Sequence, residues 1–423
     1  MHILKSKILI TGILLLGLIS CSTAKKVEKN LSKQSEINNY FRGFVVYNTK
    51  KQKEIINYNG SKYFTPASNT KLFTFYSSYK TFKDSVVGIE YLEKGDSLII
   101  KGTADPSLLY GFEGSKILDF LKKTDKNIYL LDQNIAEEPF GLGWAWDDYT
   151  YYYMPEKNLF PIYGNIVELT KEDSVDVQPV FFKEMIEINE EKKVRRAYAK
   201  NQFFVKSADR FSERQIPFIT SNQLVADILS KEIDKRVILI NNRNNYFFKP
   251  FYSVPYDSLY SKMLHISDNF IAEQLMLQVG NKVDSVYSVK KGIDYSLEHY
   301  LKDIPQKPRW VDGSGLSRYN LFTPESFVYL LKKMYREMPK DKLFDYFPAG
   351  GERGTLEKYF VNNKPYVYAK TGTLSNNFNL SGYLVTKKGT VLIFSYMNNH
   401  YKGSASARKK EMEVFFKKLY NSY

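Results

Sequence analysis

The spacing of apolar residues changes several times along this chain, and each change predicts a change of element. Near the start, "FVVYN" (44–48) and "EIINY" (54–58) are apolar runs of strand length. The polar stretch "TKKQK" between them makes the pair a hairpin. "NTKLFTFYSSYKTF" then reads as a helix whose N-terminus lies near Ser68. Residues 91–250 differ in texture. Short runs such as "SLIIKG" and "RVILIN" alternate with a Trp/Tyr-rich piece, "GWAWDDYTYYYMP", and a charged one, "NEEKKVRR", so this region reads as a β-rich insert. From Pro255 the spacing turns helical, with "DSLYSKML" and "NFIAEQLMLQV" on either side of a break at Ile266–Asp268. "YVYAKTGTLS" and "SGYLVTKKGTVLIFSYM" read as consecutive antiparallel strands, turning at Lys388-Gly389. Met412, Phe415, Phe416 and Leu419 fall on one face of a last helix. Hairpins from both ends and a helical block predict one α+β domain, an antiparallel sheet flanked by helices. It would be built from residues 39–90 and 251–423 and split by the insert.

The first residues stand apart from this pattern. Lys5 and Lys7 precede an apolar run, Ile8 to Ile19, that is too short to span a bilayer. A basic start followed by a short apolar stretch resembles a secretory signal. The run ends in "LISC", which resembles a bacterial lipobox. That resemblance implies cleavage before Cys21 and a lipid on its thiol. The expectation is a signal peptide over residues 1–20 and a polar tether over 21–38. The product would be an exported, periplasmic protein anchored by lipid, with Ser22 favouring the outer membrane by analogy. Cys21 is the only cysteine, so no intrachain disulfide can form and the fold must rely on its core.

Composition narrows the partners. The net charge of +15 falls to +13 without Lys5 and Lys7, which draws an exported protein to anionic surfaces such as headgroups and cell-wall carboxylates. The lysines are scattered and no helix-turn-helix, zinc-finger or RNA-binding signature is present, which excludes nucleic acid. His2, His265, His299 and His400 occupy no ligand or nucleophile-elbow motif, so neither a metal nor a cofactor is expected.

Three short motifs carry the candidate chemistry. Ser-x-x-Lys occurs five times, at Ser22, Ser68, Ser77, Ser288 and Ser406, so alone it decides nothing. Ser267-Asp268-Asn269 falls in the break between two predicted helices, and Lys370-Thr371-Gly372 falls in a predicted strand. The order of the three, each in a suitable context, singles out Ser68. A hydroxyl is a weak nucleophile and needs a nearby base. Positions i and i+3 share a helix face, so Lys71 reaches the Ser68 hydroxyl. Lysine is a base only when neutral, and a second cation, Lys370, together with burial would favour that form. A helix start at Ser68 aims backbone N–H groups at developing negative charge. Gly372 would let a substrate backbone approach the strand. Asp312-Gly313-Ser314-Gly315 reads as a tight turn bordering the site, and Glu298 as a solvated helix residue.

The triplet set is shared by penicillin-binding proteins and class A β-lactamases. "FTPASNTKLFT", "MLHISDNFIAEQL", "VDGSGLSRYNLFTP" and "AKTGTLSNNFNLSGYL" resemble, in collinear order over residues 40–423, the blocks of the low-molecular-mass class C penicillin-binding proteins. That family comprises D-alanyl-D-alanine carboxypeptidases and endopeptidases. The resemblance implies a β-lactamase-like serine transpeptidase fold and a DD-peptidase of peptidoglycan stem peptides, acylated by β-lactams. It implies that Ser68 is acylated, Lys71 takes its proton, Ser267 relays a proton to the leaving D-Ala and Asn269 bonds the substrate amide. Lys370, with Thr371 and Thr373, would hold the terminal carboxylate, and the N–H groups of Ser68 and Thr373 would form the oxyanion hole. Arg353 stands where many relatives have an acid, and the insert is short for the family. A β-lactamase and a non-catalytic wall-binding protein are the competing readings. The long insert and the lack of an added glutamate count against the first, the complete set of reacting side chains against the second.

Overall fold

The computed structural model describes residues 39–112, 116–190, 194–241 and 247–423. The expected signal, the Cys21 lipid site and the tether lie outside these residues. No described helix is long and apolar enough to cross a membrane.

Strands from the two ends of the chain form one five-stranded antiparallel sheet. Its order is Val367–Leu374, Asn377–Val385, Val391–Asn399, Phe41–Asn48, Lys53–Tyr58. Side chains alternate across it. Phe44, Val46, Phe394 and Tyr396 face the C-terminal helix Ala405–Ser422, whose Met412, Phe416 and Leu419 are buried against them. Val45, Ile393 and Met397 face the other way, toward a helical block that includes Lys71–Thr81, Tyr256–His265, Asn269–Asp284 and Pro324–Glu337. With both faces covered, this sheet reads as nearly continuous apolar runs rather than strict alternation. Arg42 is fully buried on the first strand and bonds Asn398 and Glu411, tying strand to terminal helix.

The insert builds on a second five-stranded sheet with its own core of Ile89, Leu98, Ile100, Ile128, Leu130 and neighbours. It is β-rich but not simply antiparallel. Asn127–Leu131 pairs in parallel with both Ser97–Gly102 and Val237–Ile240, and helices Lys116–Lys123 and Asn222–Ile233 supply the crossovers. Two three-stranded sheets complete it. Ser85–Lys94 pairs with the edge strand Lys249–Pro255, so the boundaries expected at 91 and 250 each fall inside a strand of the insert's sheet.

Candidate active site

Ser68 sits on a single 3-10 turn, Ala67–Thr70, that leads into the helix Lys71–Thr81. The expected helix start is therefore a tighter turn, entered with Ala67 at φ +49°, a left-handed conformation costly for a residue with a Cβ. The surroundings hold it. Asn69 Nδ2 donates to Ser381 Oγ on the central sheet at 2.8 Å. Asn379 and Asn399 donate to the Thr65 carbonyl at 2.9 and 3.2 Å. Leu72, Phe73, Phe75 and Tyr76 then bury the helix on all sides.

Lys71 is fully buried, and its Nζ has three partners: Ser68 Oγ at 3.0 Å, Asn269 Oδ1 at 2.6 Å and the Ser314 carbonyl at 2.7 Å. The last two only accept. A neutral amine has two N–H groups and one lone pair, so with both acceptors served the lone pair faces the Ser68 hydroxyl. Burial lowers the Lys71 pKa to about 8, against the charges of Asp312, Asp268 and Glu273, which raise it.

Lys370 is also fully buried, and its Nζ donates to Ser267 Oγ at 2.8 Å and to the Thr371 carbonyl at 2.9 Å. Burial first, and the Lys71 charge second, hold it well below the usual lysine range. No carboxylate opposes this shift, whereas three oppose that of Lys71. Burial thus disfavours the charge on both lysines, with nearby carboxylates offsetting it at Lys71. Ser267 occupies the break between helices at φ +63°, and Asp268 caps the second helix by accepting from the Ile271 N–H at 2.9 Å. Asn269 spans the site, bonding Lys71 through Oδ1 and donating Nδ2 to the Tyr153 carbonyl at 2.8 Å.

Strand alternation sorts the Lys-Thr-Gly residues. Thr371 and Thr373 line the cleft; Lys370 and Gly372 do not. A Cβ on Gly372 would overlap the Pro66 carbonyl oxygen and stand 3.0 Å from Asn69 N. The bare α-carbon thus admits the Ser68 turn against the strand. Gly372→Ala is expected to push turn and strand apart, costing about 1–3 kcal/mol of stability and slowing acylation. Thermal melts and penicillin acylation rates check this, and unchanged values in both would contradict it. On the backbone side, the Ala369 N–H faces outward to Pro348 O at 3.0 Å, so alternation turns the N–H groups of Thr371 and Thr373 to the open strand edge.

The turn at Asp312 was expected only to border the site. It is clamped from both sides by buried carboxylates. Asp312 accepts from Gly315 N, Ser317 N, Asn320 Nδ2 and, at 2.9 Å, Trp144 Nε1 of the insert. Glu273 accepts from Ser314 N at 2.7 Å and Gly313 N at 3.2 Å. Burial and the Asp312 charge push Glu273 up to about 7. The product of this clamp is the position of the Ser314 carbonyl on Lys71. Sequence reasoning missed Glu273 and Trp144, although an acid inside the apolar run "NFIAEQLMLQV" was a usable signal. Arg353 lies away from the cleft and donates to the Phe344 carbonyl, and His265 contacts the Asp345 carbonyl.

These groups border a cleft of about 530 Å³, floored by Ser68, Ser267 and Asn269 and walled by Thr371 and Thr373 on one side and by Asp147, Asp148 and Tyr152 of the insert on the other. A serine hydroxyl under a buried lysine, beside an open strand edge in an α+β penicillin-binding fold, marks a serine peptidase. The chain matches the D-Ala-D-Ala carboxypeptidase 3 (S13) family over residues 23–237 and 247–419, and it belongs to that family. It is 25% identical to the D-alanyl-D-alanine carboxypeptidase DacB of Haemophilus influenzae over 90% of each chain. Its fold is similar to the crystal structure of penicillin binding protein 4 from the same organism, with a TM-score of 0.76 and 23% identity over 93% of this chain and 99% of that one. A penicillin G acylated predatory endopeptidase of Bdellovibrio bacteriovorus is more distant, at TM-score 0.51 and 16% identity over 90% and 92%. The protein is accordingly a serine-type D-Ala-D-Ala carboxypeptidase, and membership of a cell-wall peptidase family implies action outside the cytoplasm.

Proposed function

We propose that the enzyme cleaves the terminal D-Ala-D-Ala bond of peptidoglycan stem peptides through an acyl-enzyme on Ser68. The observation that carries this reading is the Lys71 amine, held on the Ser68 hydroxyl by two groups that can only accept. Ser68 Oγ attacks the penultimate D-Ala carbonyl while Lys71 takes its proton. The developing oxyanion faces the N–H groups of Ser68 and Thr373. Ser267 passes a proton to the departing amine, and water then releases the acyl group. The second N–H of Asn269 is available to the substrate amide. Lys370 acts on the terminal carboxylate from beneath the cleft, with Ser267, Thr371 and Thr373 at the surface. An arriving carboxylate favours the charged form of Lys370, and that charge in turn favours loss of the Lys71 proton. β-Lactams present the same carbonyl and carboxylate and are trapped as the acyl-enzyme. The peptidase unit comprises the residues on either side of Ser85–Pro255, and Cys21 carries the lipid that anchors it in a bacterial membrane, the outer one by the analogy of Ser22.

Incubation with purified muropeptides, following released D-Ala and lost cross-links together, tests the reaction. Labelled penicillin, mapped by digestion, is expected on Ser68. Label on Ser77 or Ser288 would sink the assignment.

A further inference from the structure

A second groove, of about 600 Å³, opens on the insert beside the catalytic cleft, and Tyr152 lines both. Tyr151, Arg195, Arg214 and Ile216 form much of its wall. Tyr151 and Tyr152 are more than half exposed. Among the described residues, neither arginine joins an ion pair; Arg214 donates to the Glu213 carbonyl at 3.2 Å and lies over the Phe211 ring. Glu213, also in the wall, is bonded to Gln215 at 2.6 Å.

The wall is rigidly built. Adjacent to Arg195, Arg196 turns inward and is buried. It donates to the carbonyls of Pro217, Ala197 and Tyr198 at 2.8, 2.8 and 3.0 Å, and its guanidinium lies under the Tyr149 ring. Tyr149 meets Tyr198 edge-on, and Tyr198 meets Trp146 in the same way. The fold thus fixes an aromatic ridge, beside which the exposed Arg195 and Arg214 carry guanidinium groups that join no ion pair among the described residues. Guanidinium binds carboxylates as a bidentate fork. Stem peptides bear free carboxylates ahead of the terminal D-Ala pair, and the short residues at the scissile bond already occupy the cleft.

We propose that this groove is a subsite for the carboxylate-bearing part of the stem peptide that extends out of the cleft past Tyr152. The inference rests on the proposed peptidoglycan reaction. It makes the enzyme selective for full stem peptides over short D-Ala-D-Ala mimics.

The test compares wild type with the double variant Arg195→Glu/Arg214→Glu on three probes: labelled penicillin, an acylated tripeptide ending in D-Ala-D-Ala, and muropeptides with intact stems. Penicillin and tripeptide are expected to react within about twofold of wild type, while kcat/KM for muropeptides falls about tenfold or more through KM. The wild-type preference for muropeptides should also shrink as salt rises. Equal losses on all three probes would make the arginines structural and overturn the subsite, as would an unchanged muropeptide rate. Muropeptides with and without their sugars should lose equally; a loss confined to the sugar-bearing forms would assign the groove to glycan instead. Equilibrium binding of muropeptides to Ser68→Ala proteins, with and without the arginine changes, answers the question even if no turnover is found. Absence of reaction with any probe in wild type would count against the Ser68 mechanism, not against the groove.

Discussion

Replacing Lys71 with arginine is expected to slow acylation by penicillin about 10³-fold, within the range lost with a general base, although the positive charge remains. Arginine stays protonated at any working pH. Its planar fork of donors has no lone pair to offer Ser68, and the fully buried site was shaped for a slimmer group. Lys71→Met is the companion variant: it keeps length and burial, removes the charge, and should lose as much activity while still melting cooperatively. Acylation by either protein within about tenfold of wild type would remove Lys71 from the mechanism. The wild-type pH profile carries the same logic. The mechanism proposed above has the two buried lysines share one proton near neutrality. The resting form keeps it on Lys71, and the productive form places it on Lys370, where the carboxylate binds. These forms carry equal charge, so their ratio does not vary with pH. The acylation rate should then fall on both sides of neutrality. Its alkaline limb should lie near 8, where Lys71 releases the shared proton. A rate that keeps rising through pH 9 would contradict the shared-proton arrangement.

Asp312→Asn is expected to cost about 1–3 kcal/mol of stability, the scale seen when a buried donor loses its partner. The Asp312 carboxylate is 1% exposed and accepts bonds from four donors. An amide turns one of its oxygens into a donor facing donors. The freed turn no longer fixes the Ser314 carbonyl on Lys71, so acylation should slow as well. The pH profile separates this from simple loosening. Asp312 is the foremost charge raising the Lys71 pKa, so its removal lowers that pKa further and moves the alkaline limb to lower pH. Denaturant melts and acylation measured across pH decide both points. An unmoved limb in a folded variant would show that Asp312 does not act on the base.

The candidate catalytic residues are legible in the sequence because each triplet is short-range: a serine one helical turn from a lysine, a loop between helices, a strand. The end-to-end hairpin pairing and the terminal helix face are legible for the same reason, since apolar spacing reports which side is buried. What lies across the fold is harder to read. Nothing local distinguishes the outward Thr371 and Thr373 from the inward Lys370 and Gly372 until the Ser68 turn is known to pack on that strand. The Lys71 pKa depends on Asp268, Glu273 and Asp312, which converge on it from separate segments. The parallel pairs of the insert escaped notice because short strands joined by amphipathic helices of 8 and 12 residues give weak periodic signals.

The closing of the central sheet has a consequence for how the enzyme is made. Its first strand waits for its last: Arg42 bonds Asn398, 356 residues further along. Contacts so distant in sequence form late. The insert, with a core of its own, is complete in a growing chain well before the final strands are synthesised. A nascent chain therefore carries a folded insert and a hairpin with an uncovered edge. It already holds Ser68 and Lys71, but Lys370, Ser381 and the asparagines that seat the Ser68 turn arrive only with the last three strands. Unfinished and truncated chains lack the groups that seat Ser68, so on the proposed mechanism hydrolysis is confined to molecules whose synthesis has reached its end.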